Sequence, residues 1–106
     1  MKMDFDFRSS NLLEDVTIIY PSVHKEDRGS IWTSYLNKKI DKFLPDDLVF
    51  LHDKFSESKK NVLRGIHGDH KSWKLISCIS GKIFQVIVDL RKSSSSFLKH
   101  ETFRLN

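Results

Sequence analysis

With 106 residues, 39% of them hydrophobic and 30% charged, the chain has room for one small globular domain and is too apolar to be disordered. Its formal net charge of +4 suits an anionic partner, but the basic pairs Lys38-Lys39, Lys59-Lys60 and Arg91-Lys92 are interleaved with Asp and Glu, which argues against a nucleic-acid footprint. No apolar run reaches the length of a membrane span, and residues 1–6 lack the hydrophobic stretch of a signal peptide, so a cytoplasmic protein is expected.

In chain order, Val16-Thr17-Ile18-Ile19-Tyr20 is β-branched and ends at Pro21-Ser22, the pattern of a strand closed by a turn. Glu26-Asp27-Arg28-Gly29-Ser30 predicts a second turn, after which Ile31-Trp32-Thr33-Ser34 resumes a strand. Tyr35, Leu36, Ile40, Phe43 and Leu44 have helical spacing, with Asn37, Lys38, Lys39, Asp41 and Lys42 on the other face. That is one short amphipathic helix, stopped near Pro45.

Beyond Leu48 the period shifts toward strand, over Val49–Phe55, Val62–His67 and Lys74–Ser80. Ser80-Gly81 makes a tight turn, and residues 82–90 then alternate. Phe84, Val86, Val88 and Leu90 share one face, and Ile83, Gln85, Ile87 and Asp89 the other. Both faces are largely apolar, which predicts a strand buried on both sides. Ser93-Ser94-Ser95-Ser96 reads as a polar loop, and Thr102–Leu105 as a further strand. The fold class expected is all-β: a jelly-roll or related sandwich with one short helix.

Chemistry concentrates in Arg64-Gly65-Ile66-His67 and Lys74. A guanidinium can grip phosphate, an imidazole can take a proton, and an ammonium can meet a developing negative charge. Spacing alone goes no further than an anion-binding β domain, because residues three apart on a strand point to opposite faces. His67 and His70 lack the spacing that turns two imidazoles of one strand toward a metal, and His24, His52 and His100 are scattered, so no metal is expected. The single Cys78 permits no internal disulfide, and between Ile76 and Ile79 it reads as a buried small hydrophobe. Neither a Walker nor a Rossmann glycine loop is present.

The order of motifs carries more. Asp27-Arg28-Gly29, His52-Asp53-Lys54-Phe55-Ser56-Glu57-Ser58, Val62-Leu63-Arg64-Gly65-Ile66-His67, Lys74-Leu75 and Val88-Asp89-Leu90-Arg91 follow one another at suitable spacing. From about Pro21 onward this resembles the dTDP-4-dehydrorhamnose 3,5-epimerase family of cupin-fold nucleotide-sugar epimerases. The form around His52–Phe55 and Arg64–Asp69 looks closer to a branch acting on GDP-linked 4-keto-6-deoxy-heptoses. The resemblance implies a jelly-roll barrel, a homodimer and chemistry without metal or cofactor. It implies that His67 removes the proton beside the 4-keto group of a nucleotide-linked 4-keto-6-deoxy sugar and that Lys74 stabilises the enolate. Arg64 would bind the diphosphate, Arg28 would contact the nucleotide-sugar, and His52 and Lys54 would line the substrate pocket.

Three departures accompany the likeness. Ile31 and Thr33 stand where the family carries an aromatic and then a Glu. His52 and Lys54 replace the Gln and Asn of a Q-D-N motif, and Gly68-Asp69 replaces a Tyr-Gln. The family's later Tyr and Asp, which reprotonate the sugar and orient the base, find no counterpart by position. The expectation is therefore a single domain, residues 1–106, forming the N-terminal portion of such an epimerase as an incomplete barrel. It would serve surface polysaccharide synthesis, with a non-catalytic sugar-nucleotide-binding cupin module or an inactive fragment as the alternative.

Overall fold

In a computed structural model, residues 2–106 are described. They form three two-stranded antiparallel sheets and one short helix. β1 (Phe5–Ser9) pairs with β2 (Thr17–Pro21), β3 (Val23–Glu26) with β4 (Gly29–Trp32), and β5 (Ile83–Val88) with β6 (His100–Leu105). The helix α1 spans Asn37–Ile40 and tightens into a 3-10 turn at Asp41–Phe43. The all-β expectation holds, with cupin-like hairpins and no closed barrel among the described residues.

Local chemistry explains the elements. β1 alternates half-buried Phe5 and Phe7 with exposed Asp6 and Arg8, the period of a strand with one covered face. No strand is expected here from the sequence as read, although that alternation is its signal. The β3–β4 hairpin closes over Asp27-Arg28, and Gly29 sits at φ +136°, a backbone setting that side chains disfavour. The helix ends before Pro45 because a residue preceding proline avoids helical angles, and Leu44 is extended at φ −88°, ψ 153°. Its last turn carries Lys38 and Lys39, cations that suit the negative end of the helix dipole.

Apolar packing is thin. Only Leu13 and Ile40 are buried hydrophobic side chains among the described residues. Around them Phe7 meets Phe43 at a ring separation of 4.8 Å and Phe5 at 5.9 Å, and the Lys42 ammonium lies 4.6 Å from the Phe7 ring centre. The radius of gyration, 15.3 Å, exceeds the roughly 13 Å of a compact domain of this size. Ile40→Ala is therefore expected to cost about 2 kcal/mol or more, while Leu63→Ala, at a side chain 94% exposed, should stay within about 0.5 kcal/mol. Urea midpoints of the two variants check this.

Three expectations are corrected. Val49–Phe55, Val62–His67 and Lys74–Ser80 do not form strands. A strand needs a laddered neighbour, and between residues 49 and 82 the backbone makes a single bond to backbone among the described residues, from Val62 N–H to the Lys59 carbonyl. β5 is not buried on both faces. It has one neighbour, β6, and one covered side: Gln85 and Ile87 share a cleft with Glu101, Phe103 and Leu105, while Phe84 on the other face is 65% exposed. Cys78 is half-buried on that cleft rather than in a core, its thiol directed at the carbonyls of Ser80 and Gly81 at 3.4 and 3.5 Å.

Candidate active site

A cleft of about 940 Å³ lies between the three sheets, with Tyr20 and Ile18 of β2, Trp32 of β4 and Phe103 of β6 on its walls. Trp73, Lys74, Leu75, Ile76, Ser77 and Cys78 line it consecutively. Lys74 thus reaches the cleft without regular structure around it. Its walls are mostly apolar, and Lys74 itself is exposed at their edge.

The other candidate residues stand apart from this cleft. His67 is exposed on the segment preceding it. The Arg64 guanidinium donates through Nε to the Ser58 hydroxyl at 2.8 Å and through Nη2 to the Glu57 carbonyl at 3.3 Å, leaving its remaining N–H donors free for a ligand. Arg28 sits at the tip of the β3–β4 hairpin, 86% exposed, with its guanidinium 2.5 Å from the Glu26 carboxylate. His24 faces the same carboxylate at 3.7 Å, an ion pair only when its imidazole is protonated. His52 and Lys54 are exposed. No hydrogen bond or ion pair joins any two of His67, Lys74, Arg64, Arg28, His52 and Lys54 among the described residues. Lys74 alone of the six lines the cleft.

A turn separates His67 from Lys74. One carboxylate oxygen of Asp69 accepts the N–H groups of Lys71 and Ser72 at 2.8 and 2.6 Å, and the other accepts the Ser72 hydroxyl at 2.7 Å. The Ser72 hydroxyl first, then the two amides, with the charge of Lys74 adding to them, hold the Asp69 carboxyl down to about 2.

The most densely hydrogen-bonded polar cluster among the described residues lies elsewhere, and sequence reasoning missed it. Asp89 follows β5, its side chain only 5% exposed. One oxygen accepts Arg91 N–H and Nε at 3.0 Å each; the other accepts Arg91 Nη2 at 3.0 Å and the hydroxyls of Ser94 and Ser96 at 2.5 Å each. Arg91 also donates to Asp15 at 2.8 Å and to the Glu14 carbonyl at 2.9 Å. Glu14 in turn accepts from Ser95 N–H at 2.9 Å and from the Ser94 and Ser95 hydroxyls at 3.0 Å each. The β1–β2 connection is thereby clamped to the β5–β6 connection. Ser10 adds a hydrogen bond to Glu101 on the same side. Arg91, with the two serine hydroxyls, holds the Asp89 carboxyl far below the usual range, and Asp89 raises the Arg91 guanidinium. The Val88-Asp89-Leu90-Arg91 motif was visible; that its charges would meet Glu14 and Asp15 was not, because nothing local in the chain encodes that meeting.

Paired hairpins around a mostly apolar cleft, with a lysine on its wall, make an all-β protein consistent with a cupin-like fragment. A sequence model of the family described as dTDP-4-dehydrorhamnose 3,5-epimerase matches residues 10–106, and the chain belongs to that family. It is similar to the dTDP-4-dehydrorhamnose 3,5-epimerase of Salmonella typhimurium, 39% identical over 88 residues that make up 80% of this chain and 48% of the relative. The Escherichia coli enzyme of the same name is 40% identical over 90 residues, 82% of this chain and 49% of the relative. That of Pseudomonas aeruginosa is 33% identical over 87 residues, 80% and 48% respectively. The chain spans about half the length of the curated relatives it matches.

Proposed function

We propose that the chain serves a nucleotide-sugar epimerase, an isomerase that inverts a 4-keto-6-deoxy sugar by removing and returning a proton beside the ketone. Family membership over residues 10–106 is the observation that carries this reading. His67 acts as the base, Lys74 meets the enolate oxygen from the cleft wall, Arg64 grips the diphosphate and Arg28 contacts the nucleotide-sugar, with His52 and Lys54 lining the substrate pocket. The assignment suits the chemistry, since a weakly acidic C–H is lost only when the enolate meets a preplaced positive charge. The lysine needs neither metal nor cofactor for this. We place the protein in the cytoplasm, as one domain and a homodimer, in surface polysaccharide synthesis.

The relatives' names carry dTDP, whereas the residues at His52, Lys54, Gly68 and Asp69 depart from the family pattern toward the GDP-linked heptose branch. Titration with dTDP- and GDP-linked 4-keto-6-deoxy sugars separates the two. Epimerisation itself is read from proton NMR, where inversion at position 3 or 5 changes the ring coupling constants. Unchanged couplings in both sugars would remove the proposal.

Arg64→Ala should raise KM about tenfold with kcat within about threefold, since a phosphate grip contributes equally to ground and transition states. Steady-state kinetics check the split; a fall in kcat with constant KM would reassign Arg64. A second reading, a non-catalytic sugar-nucleotide-binding module, draws on His67 standing outside the cleft that Lys74 lines. Saturable binding without any change in coupling would select it.

A further inference from the structure

Between residues 49 and 82 the chain lacks ladders, so side chains must fix what the backbone does not. Arg64 ties down one point by its bonds to Ser58 and Glu57, and Asp69 ties down another with three bonds. Asp69 stands two residues after His67, and the turn it closes ends at Ser72, where the run of six cleft-lining residues begins with Trp73 and Lys74. Both of its oxygens are engaged by that turn, and no ion pair within 4.0 Å joins it to Lys74. The carboxylate therefore fixes the path into the cleft without occupying the ammonium.

We propose that Asp69 is a positioning residue for Lys74: its carboxylate closes the Asp69–Ser72 turn and thereby sets where the lysine enters the cleft. The inference rests on the reading of Lys74 as the group that meets the enolate. A cation displaced by about an ångström loses much of its effect on a developing charge, so opening the turn acts on kcat rather than on binding.

Asparagine separates geometry from charge. Both amides donate to the same carboxylate oxygen, which the asparagine carbonyl replaces, and its NH2 can donate to the Ser72 hydroxyl in exchange for accepting from it. The test compares Asp69→Asn, Asp69→Ala, Lys74→Ala and the Asp69→Ala/Lys74→Ala double variant with the unaltered chain. It measures deuterium uptake by the keto sugar and amide hydrogen exchange at Lys71 and Ser72. Asp69→Ala should lower kcat about tenfold or more with KM within about twofold, and Asp69→Asn should stay within about threefold. In the Lys74→Ala background Asp69→Ala should add nothing, because it acts through the lysine. Amide protection at Lys71 and Ser72 should fall in Asp69→Ala alone of the two Asp69 variants.

Equal losses in Asp69→Asn and Asp69→Ala, additive losses in the double variant, or unchanged amide protection would overturn the inference. Should Asp69→Ala unfold, Ser72→Ala replaces it: a kcat loss absent from the Lys74→Ala background supports the proposal, and an additive one opposes it. Uptake that is absent in the unaltered chain, or independent of Lys74, overturns the functional reading and this inference with it. An additive double variant overturns this inference alone.

Discussion

His67→Ala is expected to lower solvent deuterium incorporation into a nucleotide-linked 4-keto-6-deoxy sugar by about 10²–10⁴-fold, the contribution of a positioned general base. Binding of the sugar nucleotide should change by less than about threefold, because the imidazole interacts with the reacting proton rather than with the diphosphate. Lys74→Ala should show the same pattern with a loss of about 10²-fold, since the ammonium acts where charge develops. His67 is exposed, so its removal opens no cavity and exposes no polar group. The urea midpoint of His67→Ala should therefore match that of the unaltered chain. A variant that loses stability and activity together would indicate a structural role for the histidine. Isotope uptake by mass spectrometry, paired with equilibrium binding, makes the measurement.

The second large effect concerns folding. Asp89→Asn replaces an oxygen that accepts from Arg91 Nη2, Ser94 and Ser96 by an NH2 that can only donate. The Arg91 guanidinium then faces a donor, the Ser94 and Ser96 hydroxyls must turn to accept, and Arg91 loses its most buried charged partner. Removing one member of a buried ion pair costs about 3–5 kcal/mol, reduced here to about 2–3 kcal/mol because the Arg91 side chain is 49% exposed. In a chain with so few buried apolar groups, that is a large share of the stability expected of a small domain.

Acid should mimic the substitution. The Asp89 carboxyl titrates lower in the folded chain than in the unfolded one, so the unfolded state binds the proton more readily and stability falls as pH falls. The clamp's contribution is essentially full above about pH 5 and is lost as pH falls through the unfolded carboxylate value of about 3.9 toward the much lower folded value. Glu14, lowered by bonds from Ser95 and Ser94, moves in the same direction. Urea midpoints at pH 7 and at about pH 2.5 should differ clearly in the unaltered chain and much less in Asp89→Asn. Equal acid sensitivity in both would place the pH dependence outside the clamp.

Features governed by neighbouring residues were legible in the sequence. The turn at Gly29, the helix stop before Pro45, the Ser80-Gly81 turn and the serine loop all follow from local backbone preferences. Strand pairing was not legible, because an apolar β-branched run such as Val62–Ile66 becomes a strand only beside a partner, and among the described residues it has none. Ile66, 80% exposed, shows the consequence of having none. Conversely, β1 was readable from its alternation of aromatic and charged residues. The candidate site divides in the same way. His67, Lys74 and Arg64 are visible as motif members, while the placing of Lys74 on the cleft wall and the clamp from Arg91 to Asp15, across 76 residues, depend on tertiary contacts.

The proposed function of this chain is proton abstraction beside a sugar ketone. It is tested most directly by counting the solvent deuterons that the unaltered chain places on carbon in a nucleotide-linked 4-keto-6-deoxy sugar. Incorporation is expected at position 3, or at positions 3 and 5, with loss of that label in His67→Ala. Saturable binding with no deuterium above the buffer control would contradict it.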